Sequence, residues 1–282
     1  MKLHLPLLLL TSLVSSLAAH STHAAEIPAD YESIDLWIPD MMEDYRASDS
    51  AEKCAFILWT DMEFTPETSP GWTSSTPLIT GRNHIFTTAE GYDPVSLSFT
   101  GGGSKVFDQV TSLTFDTLSK LNISDSNRKI GDSVGCITLS STGKLSIHRV
   151  DDGHQDTADL VFSNNLASEP STGHRYGLSG GILCARETDA VIDISSNGGV
   201  QFSSNSIQAS YVTRGGAIYS AGLVNISNNA DVTINNNSAY TTSYYSVSSY
   251  GGAIFSTGSL NFSNNASVVF RKNASSASTT ST

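Results

Sequence analysis

Apolar residues in this chain come in short runs broken by glycines and polar clusters, not in helical stripes. Ala190-Val191-Ile192-Asp193-Ile194 and Asp231-Val232-Thr233-Ile234 are β-branched and partly alternating. Upstream, Val95-Ser96-Leu97-Ser98-Phe99, Leu113-Thr114-Phe115, Cys136-Ile137-Thr138-Leu139 and Leu145-Ser146-Ile147 alternate in the same way. Gly101-Gly102-Gly103, Asp125-Ser126-Asn127 and Thr142-Gly143 separate them. This is the patterning of short strands joined by turns, and it predicts an all-β chain.

Above the strands lies a repeat, which decides the architecture. Gly215-Gly216-Ala217-Ile218 returns 36 positions later as Gly251-Gly252-Ala253-Ile254, and Gly180-Gly181-Ile182-Leu183 precedes the first by 35. Each is followed by two copies of Phe or Ile, two further residues and Asn, eight positions apart. The pairs are Ile194 to Asn197 with Phe202 to Asn205, Ile226 to Asn229 with Ile234 to Asn237, and Phe262 to Asn265 with Phe270 to Asn273. Residues 215–238 and 251–274 are identical at 13 of 24 positions, too many for an accident of a Ser/Asn-rich composition. A short strand cannot bury its face alone, whereas stacked coils bury a continuous core. The repeat therefore predicts a right-handed parallel β-helix, a solenoid with an N-terminal capping segment. Its Ile and Phe point inward, its Asn sits at a left-handed turn and bonds along the stack, and Gly-Gly-Ala makes a corner with no room for a Cβ. A disordered tail would lack periodic Phe and Ile, and a β-sandwich gives no reason for a repeat.

Met1-Lys2, the apolar run around Leu5 to Leu17 and small residues up to Ala24 read as a secretory signal over residues 1–24, too short to span a bilayer. Residues 25–77, which hold Trp37, Trp59 and Trp72, read as an N-terminal cap or as a separate recognition module. Residues 78–161 read as degenerate coils, and residues 162–282 as the regular repeat.

Charge sharpens this division. The chain is 15% charged, below the roughly 25% of ordinary soluble domains, and carries −12 at neutral pH. Residues 180–282 are balanced, so the acidic excess lies before them. No basic stripe is available for nucleic acid. Cys54, Cys136 and Cys184 are an odd number, leaving a thiol that could reach another envelope protein. No Cys or His spacing suits zinc, and no cofactor motif is present.

The alternation of Gly-Gly-Ala-Ile and Phe-x-x-Asn tetrapeptides resembles the chlamydial polymorphic membrane proteins. The matching residues are Gly215 to Ile218, Gly251 to Ile254, Phe162 to Asn165, Phe202 to Asn205, Phe262 to Asn265 and Phe270 to Asn273. Gly180 to Leu183 departs, with Ile182 where that family has Ala. The resemblance implies an autotransporter with an export signal, a β-helical passenger and a C-terminal barrel. It also implies adhesion to a host cell-surface receptor through both tetrapeptides, and a place at the outer membrane, peripherally on its outer side, or secretion. The sequence stops at the polar stretch Ser275 to Thr282 without barrel-like strands, so the expectation is a passenger piece lacking its transporter half.

Enzymatic readings fare worse. Gly177-Leu178-Ser179-Gly180-Gly181 has the spacing of a nucleophile elbow but no following helix to expose the serine. Gly101 to Lys105 lacks the P-loop ending, and Asp151-Asp152-Gly153-His154 reads as a solvated turn. The alternative functions are a β-helical polysaccharide lyase or hydrolase, which needs carboxylates clustered on one face, and a remnant without a role. Tyr240, Tyr244, Tyr245 and Tyr250, among serines, read as an exposed loop with a composition suited to contact.

Overall fold

The computed structural model describes residues 27–38, 53–69, 72, 77–103, 105–129, 135–151, 158–168, 177–243 and 248–279. Residues 1–24, which the sequence suggests are an export signal, lie outside them, as do Tyr244, Tyr245 and His154. Among the described residues there is no helix, and so none that could cross a membrane. Every strand pairing is parallel.

One coil of the regular region runs Gly177–Ser179, Leu183–Ala185, Val191–Ser195, Gly199–Ser203 and Ser206–Ala209. The next repeats it as Val212–Arg214, Ile218–Ser220, Leu223–Ser227, Asp231–Asn235 and Ser238–Ser243. Each strand pairs with its counterpart one coil away, as Val191 with Leu223 and Val200 with Val232. Among the described residues this builds sheets of 12, 7, 5 and 3 strands, the arrangement of a parallel β-helix. Upstream, Phe107–Leu118 and Ile137–Val150 are long strands that continue through the level where the regular coils break in two. Ile137–Val150 pairs at its start with Leu183–Ala185 and near its end with Val191–Ser195, so the break at residues 186–190 between those two strands enters the stack after it.

Alternation puts every second side chain inside, and register stacks these residues into columns. One column runs Phe56, Phe86, Phe115, Ile147, Ile194, Ile226, Phe262. Another runs Phe64, Phe99, Ile123, Phe162, Phe202, Ile234, Phe270. Phe162 and Phe202 stack at 4.8 Å and 15°. Burying each such side chain contributes about 1.5–3 kcal/mol, so the columns supply most of the drive for coiling.

The segment 25–77 contributes Glu32–Leu36, Lys53–Leu58 and Met62–Phe64, which pair in register with the coils that follow and extend the stack. Ile27 and Tyr31 pack against Ala55 and Ile85 on its flank. Trp72 is buried and donates from Nε1 to the carbonyl of Lys105 at 3.1 Å. Gly102, with φ +88°, leaves the space that its indole fills.

Candidate functional site

The residues singled out by the repeat converge on two features of the coil: asparagine ladders and a glycine corner. After each strand of the second sheet the chain turns, and the Asn of the tetrapeptide points back into the stack. Asn165, Asn205, Asn237 and Asn273 form one ladder, each of the first three donating from Nδ2 to the next Oδ1 at 2.9–3.0 Å. Their backbone N–H groups donate to the same oxygens, at 3.3 Å for Asn165 and 3.1 Å for Asn205. A second Nδ2 bond goes to a carbonyl of the preceding coil: Ile123 for Asn165, Phe162 for Asn205 and Phe202 for Asn237. Ser126 starts this ladder by donating from Oγ to Asn165 Oδ1 at 2.7 Å. The parallel ladder Asn197, Asn229, Asn265 follows the strands before the other turn. These amides satisfy polar groups that the turns would otherwise bury unpaired.

The left-handed residue of each turn precedes the ladder Asn and is not the Asn itself. Asn164, Ser204, Asn236 and Lys272 have φ between 52° and 55°, as do Ser196, Asn228 and Asn264 between 54° and 58°. This corrects the expectation that one Asn both bends the chain and bonds along it. The division has a physical cause. The left-handed residue faces outward, so its identity is free, whereas the following side chain is aimed along the stack and must both donate and accept.

The corner behaves as expected of its composition. Gly180, Gly215 and Gly251 have φ of 69°, 69° and 57°. A Cβ on Gly181 would overlap the carbonyl oxygen of Gly216, and one on Gly216 that of Gly252. The first glycine supplies the turn and the second the close approach of successive coils. Ile182, Ala217 and Ala253 then point inward, followed by Leu183, Ile218 and Ile254 in register.

Most tetrapeptide residues are therefore interior. Phe162, Asn165, Phe202, Asn205, Ala217 and Ile218 are fully buried. Gly251, Gly252, Ile254, Phe262, Asn265 and Asn273 are partly buried, and Phe270 is exposed, because they belong to the last described coil. A depression of about 440 Å³ between Ile254, Leu260 and Phe270 lies over the ends of the core columns and is uncovered core.

What the corner brings outside was not legible as a motif. Tyr219 and Phe255 sit in register and stack at 6.0 Å and 8°, and Tyr250, just before the glycines, approaches Phe255 at 5.4 Å. Arg214 lies under Tyr250 in register. Tyr240 and Tyr211 are exposed on the same coils.

Ser179 is buried in a strand paired with Val212–Arg214. Cys54, Cys136 and Cys184 are all buried, so another chain reaches them only if the stack opens. Among the described residues no three His, Cys, Asp or Glu converge as metal ligands do. Asp193 accepts from Asn225 Nδ2 at 2.9 Å, and Asn261 donates to Asn225 in turn, an outward polar column. Asp116 binds Arg149 through Nε at 2.7 Å, which raises the guanidinium pKa.

Compared with known proteins, the chain matches no protein-family model, no curated protein and no solved structure.

Proposed function

We propose that this chain is an exported β-helical passenger of the adhesin type, held peripherally on a bacterial surface or released, whose outer faces contact a host cell-surface receptor. In this reading the Gly-Gly-Ala-Ile and Phe-x-x-Asn tetrapeptides build the coil and position contact residues. They do not themselves touch the partner. The observation that carries it is the opposite fate of neighbouring residues at the corner. Gly215, Gly216, Ala217 and Ile218 are buried, and the chain beside them turns Tyr219, Tyr250 and Phe255 outward into one aromatic cluster. Aromatic rings beside serines and an arginine have the composition of contact surfaces.

The test is binding of the purified chain to cultured epithelial cells. A Tyr219→Ser, Tyr250→Ser, Phe255→Ser variant is expected to bind more weakly than the parent while keeping its β circular dichroism. A Phe202→Leu variant, altered only in the core, is expected to bind like the parent. A folded triple variant with undiminished binding, or a folded parent that does not bind, sinks the proposal.

A further inference from the structure

The first coils carry a second aromatic cluster, far along the sequence from the repeats. Leu36 pairs with Leu58 and Leu58 with Thr88, so the residues that follow leave the sheet one above another. Trp59 N donates to the Leu36 carbonyl, and Ala89 N to that of Leu58. Trp37 and Trp59 consequently stack face to face at 4.8 Å and 8°. The third coil has Ala89 at this level, but a turn closed by Tyr92 N to the Ala89 carbonyl, with Gly91 at φ +80°, folds Tyr92 back. Its ring meets Trp59 edge-on at 4.7 Å and 75°. Asp35 fixes the stack by accepting from Trp59 Nε1 at 2.9 Å.

The cluster is built yet open: Trp37 is 51% exposed and Tyr92 54%, whereas Trp72 is 1% exposed. The fold thus buries one indole completely and leaves two rings of this stack in water, a form that marks contact surfaces. Asp35 touches the stack, and the residues next along the chain from Trp59 and Tyr92 include the exposed carboxylates of Asp61, Glu90 and Asp93. Asp61 is held in place by the backbone N–H of Ser96 at 2.7 Å. Indole faces and carboxylates both attract cations, and their combination disfavours an anionic ligand. A guanidinium suits the site best, since it lies flat on an indole while its fork reaches a carboxylate.

We propose that the Trp37–Trp59–Tyr92 stack with Asp35 is a binding site for arginine side chains on a basic segment of a partner protein. This is independent of the aromatic cluster at Tyr219, Tyr250 and Phe255.

The probe is a dodecapeptide of alternating Arg and Ser, titrated into the full chain at about 0.15 M salt and followed by tryptophan fluorescence. Saturable quenching is expected, weaker for the Lys–Ser analogue. Trp37→Ala is expected to weaken binding about tenfold, between the ranges of an exposed and a desolvated cation–π contact, with Trp37→Phe between the two. Trp37→Ala removes a half-exposed ring from the stack, and circular dichroism checks that the coils persist. Binding by Tyr250→Ser should equal that of the parent, which separates this site from the adhesion surface. The proposal is overturned if Trp37→Ala binds the peptide as well as the parent does. The same follows if no arginine peptide saturates, or if a neutral Gly–Ser peptide or a soluble oligosaccharide quenches to the same extent.

Discussion

Asn205 donates from Nδ2 to the Oδ1 of Asn237 on the following coil at 2.9 Å, while its own Oδ1 accepts from Asn165 on the preceding coil at 3.0 Å. A residue in this place must offer both a donor and an acceptor along the axis, which only an amide does at this length. Asn205→Ala leaves buried partners on both sides unpaired and should cost on the order of 3 kcal/mol. Asn205→Asp should cost more, because a carboxylate would face the carbonyl oxygen of Phe162 and Oδ1 of Asn237 with nothing to donate. Asn273→Ala, at the partly buried end of the same ladder, should cost least. Urea midpoints rank the three, and equal losses would contradict a directional ladder.

Glycines that make room for a neighbouring coil and glycines that only turn the chain do different work, which substitution at Gly216 of the corner and at Gly91 of the Ala89–Tyr92 turn can separate. Gly216→Ala drives a Cβ into the backbone of Gly252 and Ser238 and should cost on the order of 3 kcal/mol. Gly91→Ala meets open space and carries only the conformational cost of its positive φ, about 1–2 kcal/mol. The expected order of urea midpoints is parent, Gly91→Ala, Gly216→Ala. A reversal would mean that adjacent coils separate easily at the corner.

The regular half of this fold is readable because each coil repeats the same demands: a glycine where successive coils nearly touch, an Asn where amides must chain. Residue identity then reports geometry directly. Upstream the same columns are filled by Phe56, Phe86 and Phe115 with no ladder amide beside them, so the period fades although the stack continues. Composition also could not divide the tryptophans, of which Trp72 fills a hole opposite Gly102 while Trp37 stands half exposed against a partly buried Trp59. The left-handed position escaped notice because it accepts Ser204, Asn236 or Lys272 alike. Tyr219 and Phe255 escaped because only the corner brings them together with Tyr250, which the sequence marked merely as part of a contact loop.

His84 occupies an inward column between Cys54 and Leu113, with its ring 5.6 Å from that of Phe56. Burial, reinforced by the charge of Arg82, pushes its pKa from 6.5 down to about 3. The folded chain therefore holds it neutral while the unfolded chain protonates it below about pH 6.5. Stability from this residue is complete above that pH and declines as pH falls towards 3. At pH 5 the loss should be about 2 kcal/mol. His84→Leu should remove this slope, so the gap between parent and variant urea midpoints should change as pH falls from 7 to 4. Parallel curves would mean that the imidazole is solvated.

Arg128 is, among the described residues, the one strongly basic side chain in an inward column, aligned with Ala167, Ile207 and Ala239. It is fully buried, and Nη2 donates to the Gly181 carbonyl while Nε and Nη1 have no hydrogen-bond partner among the described residues. Burial lowers its pKa, opposed by the nearby thiols of Cys136 and Cys184. A single carbonyl does not offset the desolvation of a guanidinium, which exceeds what one charge-assisted hydrogen bond returns. Arg128→Met keeps the length of the side chain and removes the charge from a site whose neighbours are alanine and isoleucine. It should stabilise the chain by about 1–4 kcal/mol, the range seen when buried ionic groups give way to apolar ones. Thermal and urea unfolding of the two forms decide the matter. A less stable methionine variant would show that the bond to Gly181 anchors the first corner of the repeat more strongly than the buried charge opposes it.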